Sequence, residues 1–114
     1  MSGFEDLRIY KLALEGCRLI YKITLKDPIK RDYSLVDQIK RAVMSIAANI
    51  AEAYGRFTTK DRSQFLTYAI GSCNEVVAFL DIIDTIYNIN VSQEKEFFLS
   101  LGKQIFSFRK VLNQ

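Results

Sequence analysis

The stretch RAVMSIAANIAEAYGR, residues 41–56, constrains the chain most, because almost every position between its terminal arginines is apolar. Only Ser45, Asn49 and Glu52 interrupt its middle. Their spacing of four and then three stacks them on one side of an α-helix. At ~100° per residue, Ile39, Val43, Ile46, Ile50 and Phe57 form one face of that helix. Met44, Ala47 and Ala51 occupy the far side, and Ala42 and Ala48 flank the polar seam. A helix that is apolar nearly all round is buried nearly all round. The 114 residues make one domain by size, residues 1–114, with too little interior to hide all of this surface. Self-association is the expectation.

Turn signals divide the chain into four helices. The first runs from about Phe4 to Lys26, with Leu7, Tyr10, Leu14, Cys17 and Tyr21 as its apolar stripe and Ile9, Leu12, Leu19 and Ile23 outside it. DPIKRDYS, with the only proline, Pro28, breaks it. Ser34 is the expected N-cap of helix two, with Asp37 three residues on, and Gly55 suits the left-handed position after its end at Tyr54. GRFTT is short, so helices two and three should be antiparallel neighbours.

Thr58 with Asp61 repeats the cap logic. Helix three continues to about Tyr87 through Phe65, Ala69, Val76, Leu80 and Ile83, a length of about 43 Å. NINVS ends it, and Ser92 is expected to cap a fourth helix carrying Phe98, Leu101, Ile105, Phe108 and Leu112. No segment alternates with period two for long enough to argue a strand. The spacing predicts an all-α, antiparallel up-down four-helix bundle that assembles as a ring-like homo-oligomer.

Composition narrows the chemistry. The chain has no histidine, which removes the commonest general base, the paired Ser-His and Cys-His nucleophiles and most zinc sites. Neither an enzyme nor a cofactor or metal is expected. Cys17 and Cys73 lack metal-type spacing and read as buried, reduced thiols. No apolar run reaches the ~18 residues that span a bilayer, and there is no signal-peptide pattern, so no membrane contact and a cytoplasmic location are expected.

The polar seam needs partners. Folding helix three back along helix two sets the row Gln64, Tyr68, Gly71 and Glu75, with Ser72 beside it, against the seam. That placement brings Glu75 to Arg41, Gly71 and Ser72 to Ser45, Tyr68 or Gln64 to Asn49, and Gln64 or Arg62 to Glu52. Gly71 inside a helix costs about 0.5–1 kcal/mol against alanine and so suggests a close backbone contact. As a catalytic row the seam lacks a nucleophile paired with a base. As a di-metal cage it lacks the two Glu-x-x-His pairs. It reads best as register-fixing glue, ahead of an interface contact or a small-ligand site.

Charge is uneven, with twelve Lys/Arg against eight Asp/Glu in residues 1–62 and four against five in residues 63–114. Arg8, Lys11, Arg18, Lys22 and Lys26 share one arc of helix one, interrupted by Glu15. Together with Lys30 and Arg31 in the following loop they are the candidate nucleic-acid contacts. In a ring such a row would repeat around the rim and act by avidity. The bland alternative is a solvated face.

The segments FEDLRIYKLA, YKIT, YSLVDQIKRAVMSIAANIAEAYGR and FLTYAIGSCNEV, within about residues 4–90, resemble one family. It is that of bacterial four-helix bundle proteins first noted as encoded in intervening sequences of 23S rRNA genes and also labelled ribosomal-type proteins. The family pattern matches Gln38, Arg41, Ser45, Asn49, Glu52, Arg56, Gly71, Ser72 and Glu75, nearly the positions that the seam selects. The chain departs where the family usually has glycine after Ala-Glu, here Ala53, and where a proline is common, here Ala48. The resemblance implies a homopentameric ring. It also implies kinship with the accessory variability proteins of diversity-generating retroelements, similar pentamers associated with nucleic acid and a reverse transcriptase.

Overall fold

Each helix of the computed structural model, which describes residues 3–113, starts and stops for a local reason. A single turn of tighter helix, Phe4–Asp6, precedes α1 (Arg8–Ile23). The segment around Pro28 closes through another such turn, Ile29–Arg31, and leads into α2 (Tyr33–Tyr54). The cap of α2 is Asp32 rather than Ser34: Asp32 Oδ1 accepts the Leu35 N–H at 3.3 Å. Its other oxygen accepts the Tyr87 hydroxyl at 2.6 Å, so one carboxylate ties the start of α2 to the end of α3.

Thr58 caps α3 (Thr59–Tyr87) as expected, its hydroxyl accepting the Asp61 N–H at 3.1 Å. α3 ends at Asn88, which is left-handed with φ 56°, a conformation that asparagine tolerates. Ser92 does not cap α4 (Ser92–Leu112) but is its first residue: Val91 stands at the cap without a side-chain bond, and Asn90 Oδ1 accepts the Ser92 N–H at 3.0 Å. Gly55 after α2 is right-handed, with φ −80°, so the left-handed stop expected there does not form.

α2 packs along α3, α3 along α4, and α1 closes the bundle against α2 and α4. Among the described residues there are four α-helices and no strand. The molecule measures 44 × 23 × 20 Å, its length set by the 29-residue α3. Ile20, Ile39, Ile46, Ile50, Leu66, Leu80, Ile83, Phe98, Leu101 and Ile105 are fully buried and fill the interior. By length and composition α3 could cross a membrane. In the bundle its inner residues Leu66, Ala69, Cys73, Val76, Leu80 and Ile83 are buried.

Two expectations about faces are corrected. The buried stripe of α1 is Ile9, Ala13, Gly16, Ile20 and Ile23, whereas Leu14 and Tyr21, expected inside, are 47% and 40% exposed. Both rows have helical spacing, so period alone cannot choose between them. Packing chooses, because Gly16 admits the Phe98 ring: a Cβ on it would lie 2.8 Å from Phe98 Cε1. Tyr10 and Tyr21 in the other row carry hydroxyls that favour the surface. Phe57, expected on the inner face of helix two, lies beyond the helix end and is 96% exposed.

Candidate nucleic-acid interface and polar seam

Turning α1 by its buried stripe aims the cationic row outward. Arg8, Lys11, Arg18 and Lys22 are exposed on α1, Lys26 just past its end, and Lys30 and Arg31 on the following turn. Some of this charge is paired. Arg18 meets Glu15 and Arg31 meets Asp27, each at 3.3 Å and both in solvent, where such pairs contribute little. Arg8 Nε donates to Gln104 Oε1 at 3.2 Å. Lys11, Lys22, Lys26 and Lys30 form no ion pair among the described residues.

A further cation, Lys40 of α2, stands 4.5 Å from the centre of the Tyr21 ring. Only the α1–α2 register could reveal that neighbour, and the spacing of charges within one helix does not. The exposed apolar residues Leu14, Tyr21 and Met44 line the outer groove between α1 and α2, with the Tyr21 hydroxyl 3.5 Å from Met44 Sδ.

The seam forms in part. Ser72 Oγ donates to Ser45 Oγ at 2.9 Å, which joins α3 to α2 at the expected place. Asn49 Nδ2 donates to both the carbonyl and the hydroxyl of Ser45 at 2.9 Å, within its own helix rather than to Tyr68 or Gln64. Gln64 and Tyr68 bond to each other at 2.7 Å.

Arg41 does not pair with Glu75. Its Nε bonds Asp37 Oδ2 at 3.1 Å, one turn away on the same helix, and both side chains are mostly exposed. Glu52 pairs with Arg56 rather than with Gln64 or Arg62, and Arg62 Nε donates to the Arg56 carbonyl at 2.8 Å. Partners four residues apart lie within reach on a helix surface, and they outcompete the neighbouring helix for long charged side chains. Gln38 reaches back to Ser34 Oγ at 3.4 Å. The expected close contact at Gly71 is absent among the described residues: nothing beyond the local backbone of its own helix lies within 4 Å of where its Cβ would be.

Among the described residues no cluster of three or more His, Cys, Asp or Glu could hold a metal. Both cysteines are free, Cys73 buried and Cys17 half-buried. Burial pushes the Cys73 thiol up to about 12 and raises that of Cys17. The Tyr87 hydroxyl is raised by its bond to Asp32, and Lys95 by its bond to Asp81. An apolar cavity of about 320 Å³ lies among Leu7, Ile50, Tyr54, Leu66, Phe108 and Leu112, with half-buried Arg62 at its edge.

A family model described as 23S rRNA-intervening sequence protein matches residues 5–114. Comparison with curated proteins finds no match.

Proposed function

The chain belongs to the 23S rRNA-intervening sequence protein family, and from that premise we propose that it is a non-enzymatic, cytoplasmic, homo-oligomeric bundle that binds RNA or another structured nucleic acid. Its helices run antiparallel, up and down. Ser63 to Asn113 and Asp32 to Tyr87 are contacts between helix ends that support this reading. The assembly is a ring, pentameric as the sequence resemblance implies.

The observation that carries the nucleic-acid reading is the solvent-facing row Arg8, Lys11, Arg18, Lys22 and Lys26, continued by Lys30 and Arg31. Lysines without carboxylate partners are available to phosphates, and a ring multiplies the row around its rim. A salt-titrated RNA-binding assay tests it. Changing Lys11, Arg18 and Lys22 together to glutamate should weaken binding and reduce the slope of log affinity against log salt by about 2–3. Unchanged affinity would sink the assignment.

The exposed groove of Leu14, Tyr21 and Met44 favours a second reading, a scaffold for a protein partner such as a reverse transcriptase. Co-purification of a protein that survives nuclease treatment, with a low 260/280 absorbance ratio, would favour it over nucleic-acid binding.

A further inference from the structure

The two outer grooves beside α2 differ in a way that fits them to each other. Between α2 and α3 lies a shelf of low side chains: Ser45, Ala48, Asn49 and Gly71. Gly71 sits in the interior of a 29-residue helix, is exposed, and has nothing near its missing side chain. A glycine there weakens the helix and no contact within the chain uses it. It does allow a foreign helix to approach the backbone closely.

The outward row of α3 through that point, Tyr68, Gly71, Glu75, Ala78 and Ile82, is exposed and alternates steps of three and four, the spacing of a helix–helix seam. Between α1 and α2 lies the complementary relief. Tyr10, Leu14, Cys17 and Tyr21 repeat with the same three-four spacing, and Leu14 and Tyr21 stand half out of the surface.

We propose that the α1–α2 groove of one copy docks on the Gly71 shelf of the next copy, head to tail. This deepens the oligomeric reading above and rests on it. Charge selects this pairing. The groove is bordered by Lys11, Arg18, Lys22 and Lys40, so two grooves face to face would set cation against cation. The shelf instead offers Glu75, exposed and without an ion pair among the described residues. The two grooves flank α2 on adjacent sides of the bundle, so each copy offers its groove to one neighbour and its shelf to another. A heterologous contact of this kind generates a ring when the rotation between copies closes. The outer face of α1, with Arg8, Lys11, Arg18, Lys22 and Lys26, stays at the rim of the contact and open to phosphates.

Light scattering on nuclease-treated protein tests the pairing, with helical circular dichroism as the fold control. Leu14→Glu spoils the groove and Gly71→Gln spoils the shelf, both at exposed positions. Tyr68→Glu replaces Gly71→Gln should that variant not fold. Each variant alone should fall to the 13.1 kDa protomer mass. Mixed in equal amounts they should form a dimer and nothing larger, because each contributes one intact face.

A wild-type chain that scatters as a protomer overturns both this pairing and the oligomeric reading. An oligomeric wild type whose variants stay oligomeric overturns the pairing alone. Variants that are monomeric but do not combine overturn its head-to-tail character. Variants that stay oligomeric while losing RNA assign the groove to nucleic acid and overturn the docking.

Discussion

Gly16 and Gly71 each interrupt a helix at a similar conformational cost, and their surroundings are opposite. At Gly16 the missing Cβ is replaced by a neighbour: Phe98 Cε1 would lie at 2.8 Å, its Cζ at 3.0 Å and Phe97 Cε2 at 3.3 Å. At Gly71 nothing beyond the local backbone of its own helix comes within 4 Å of the missing Cβ. The first glycine is explained by the interior of the protomer, because α1 can lie against a fully buried phenylalanine only where it has no side chain. The second has no such explanation inside the chain. The contrast shows that a glycine within a helix marks a close approach without saying whether the neighbour belongs to the same molecule.

The interior side of the contrast should give the largest effects. Phe98→Ala empties the site that Gly16 faces and should destabilise the fold by about 3–5 kcal/mol in chemical denaturation. Gly16→Ala should cost about 1–3 kcal/mol, since the buried ring has no free space to retreat into. The two changes should not add, because removing the ring also removes the clash. Additive losses would mean that Gly16 serves something other than Phe98.

Ser45→Ala probes the shelf from below. It removes the acceptor of the Ser72 hydroxyl, on a buried residue, and one of the two acceptors of Asn49. A loss of about 1–2 kcal/mol is expected. No loss would mean that water replaces the bond and that the seam does not lock α2 to α3.

Gly71→Ala should move the other way. In the protomer it should stabilise by about 0.5–1 kcal/mol, measured at a concentration low enough to hold the chain monomeric. A destabilised protomer would break the comparison, since it would show a contact that the open surroundings of Gly71 do not contain.

How much of this was legible in the sequence depends on the range of the interaction. Thr58 with Asp61 and the length of α3 follow from local spacing, and they form as expected. Ser45 and Ser72 meet because both are short and near the helix axes, so the backbone register alone places them. Helix spacing misplaces Arg41, Glu52 and Glu75, because long side chains at the surface choose among several partners. Asp37 and Arg56, one turn away, are the nearest. The α1 stripe is not fixed by period, because Tyr10–Leu14–Cys17–Tyr21 and Ile9–Ala13–Gly16–Ile20 have the same three-four spacing. Only knowledge of Phe98 on the facing helix separates them.

The same division between interior and groove should appear at the thiols, with the smallest disturbance to the fold. Cys73 is buried, with its thiol pushed up to about 12, while Cys17 is half-buried beside the α1–α2 groove, its Sγ 3.7 Å from the Val43 carbonyl. Since the thiolate is the reactive form, a thiol reagent at mildly alkaline pH should label Cys17 more slowly than a free cysteine. Cys73 should be labelled only as fast as the protein opens. The sign of the linkage follows from the same burial. A folded-state value above the ordinary 9.0 means that the unfolded chain releases its proton first. The stability associated with Cys73 is therefore complete below about 9 and declines as pH rises toward 12. The raised Tyr87 and Lys95 groups act in the same direction, each above its ordinary value of 10.0 or 10.5. Mass spectrometry of labelled protein separates the two sites. Equal labelling of Cys17 and Cys73 would remove the distinction between groove and core, whereas slower labelling of Cys17 on raising protein concentration would show the groove closing on a second copy.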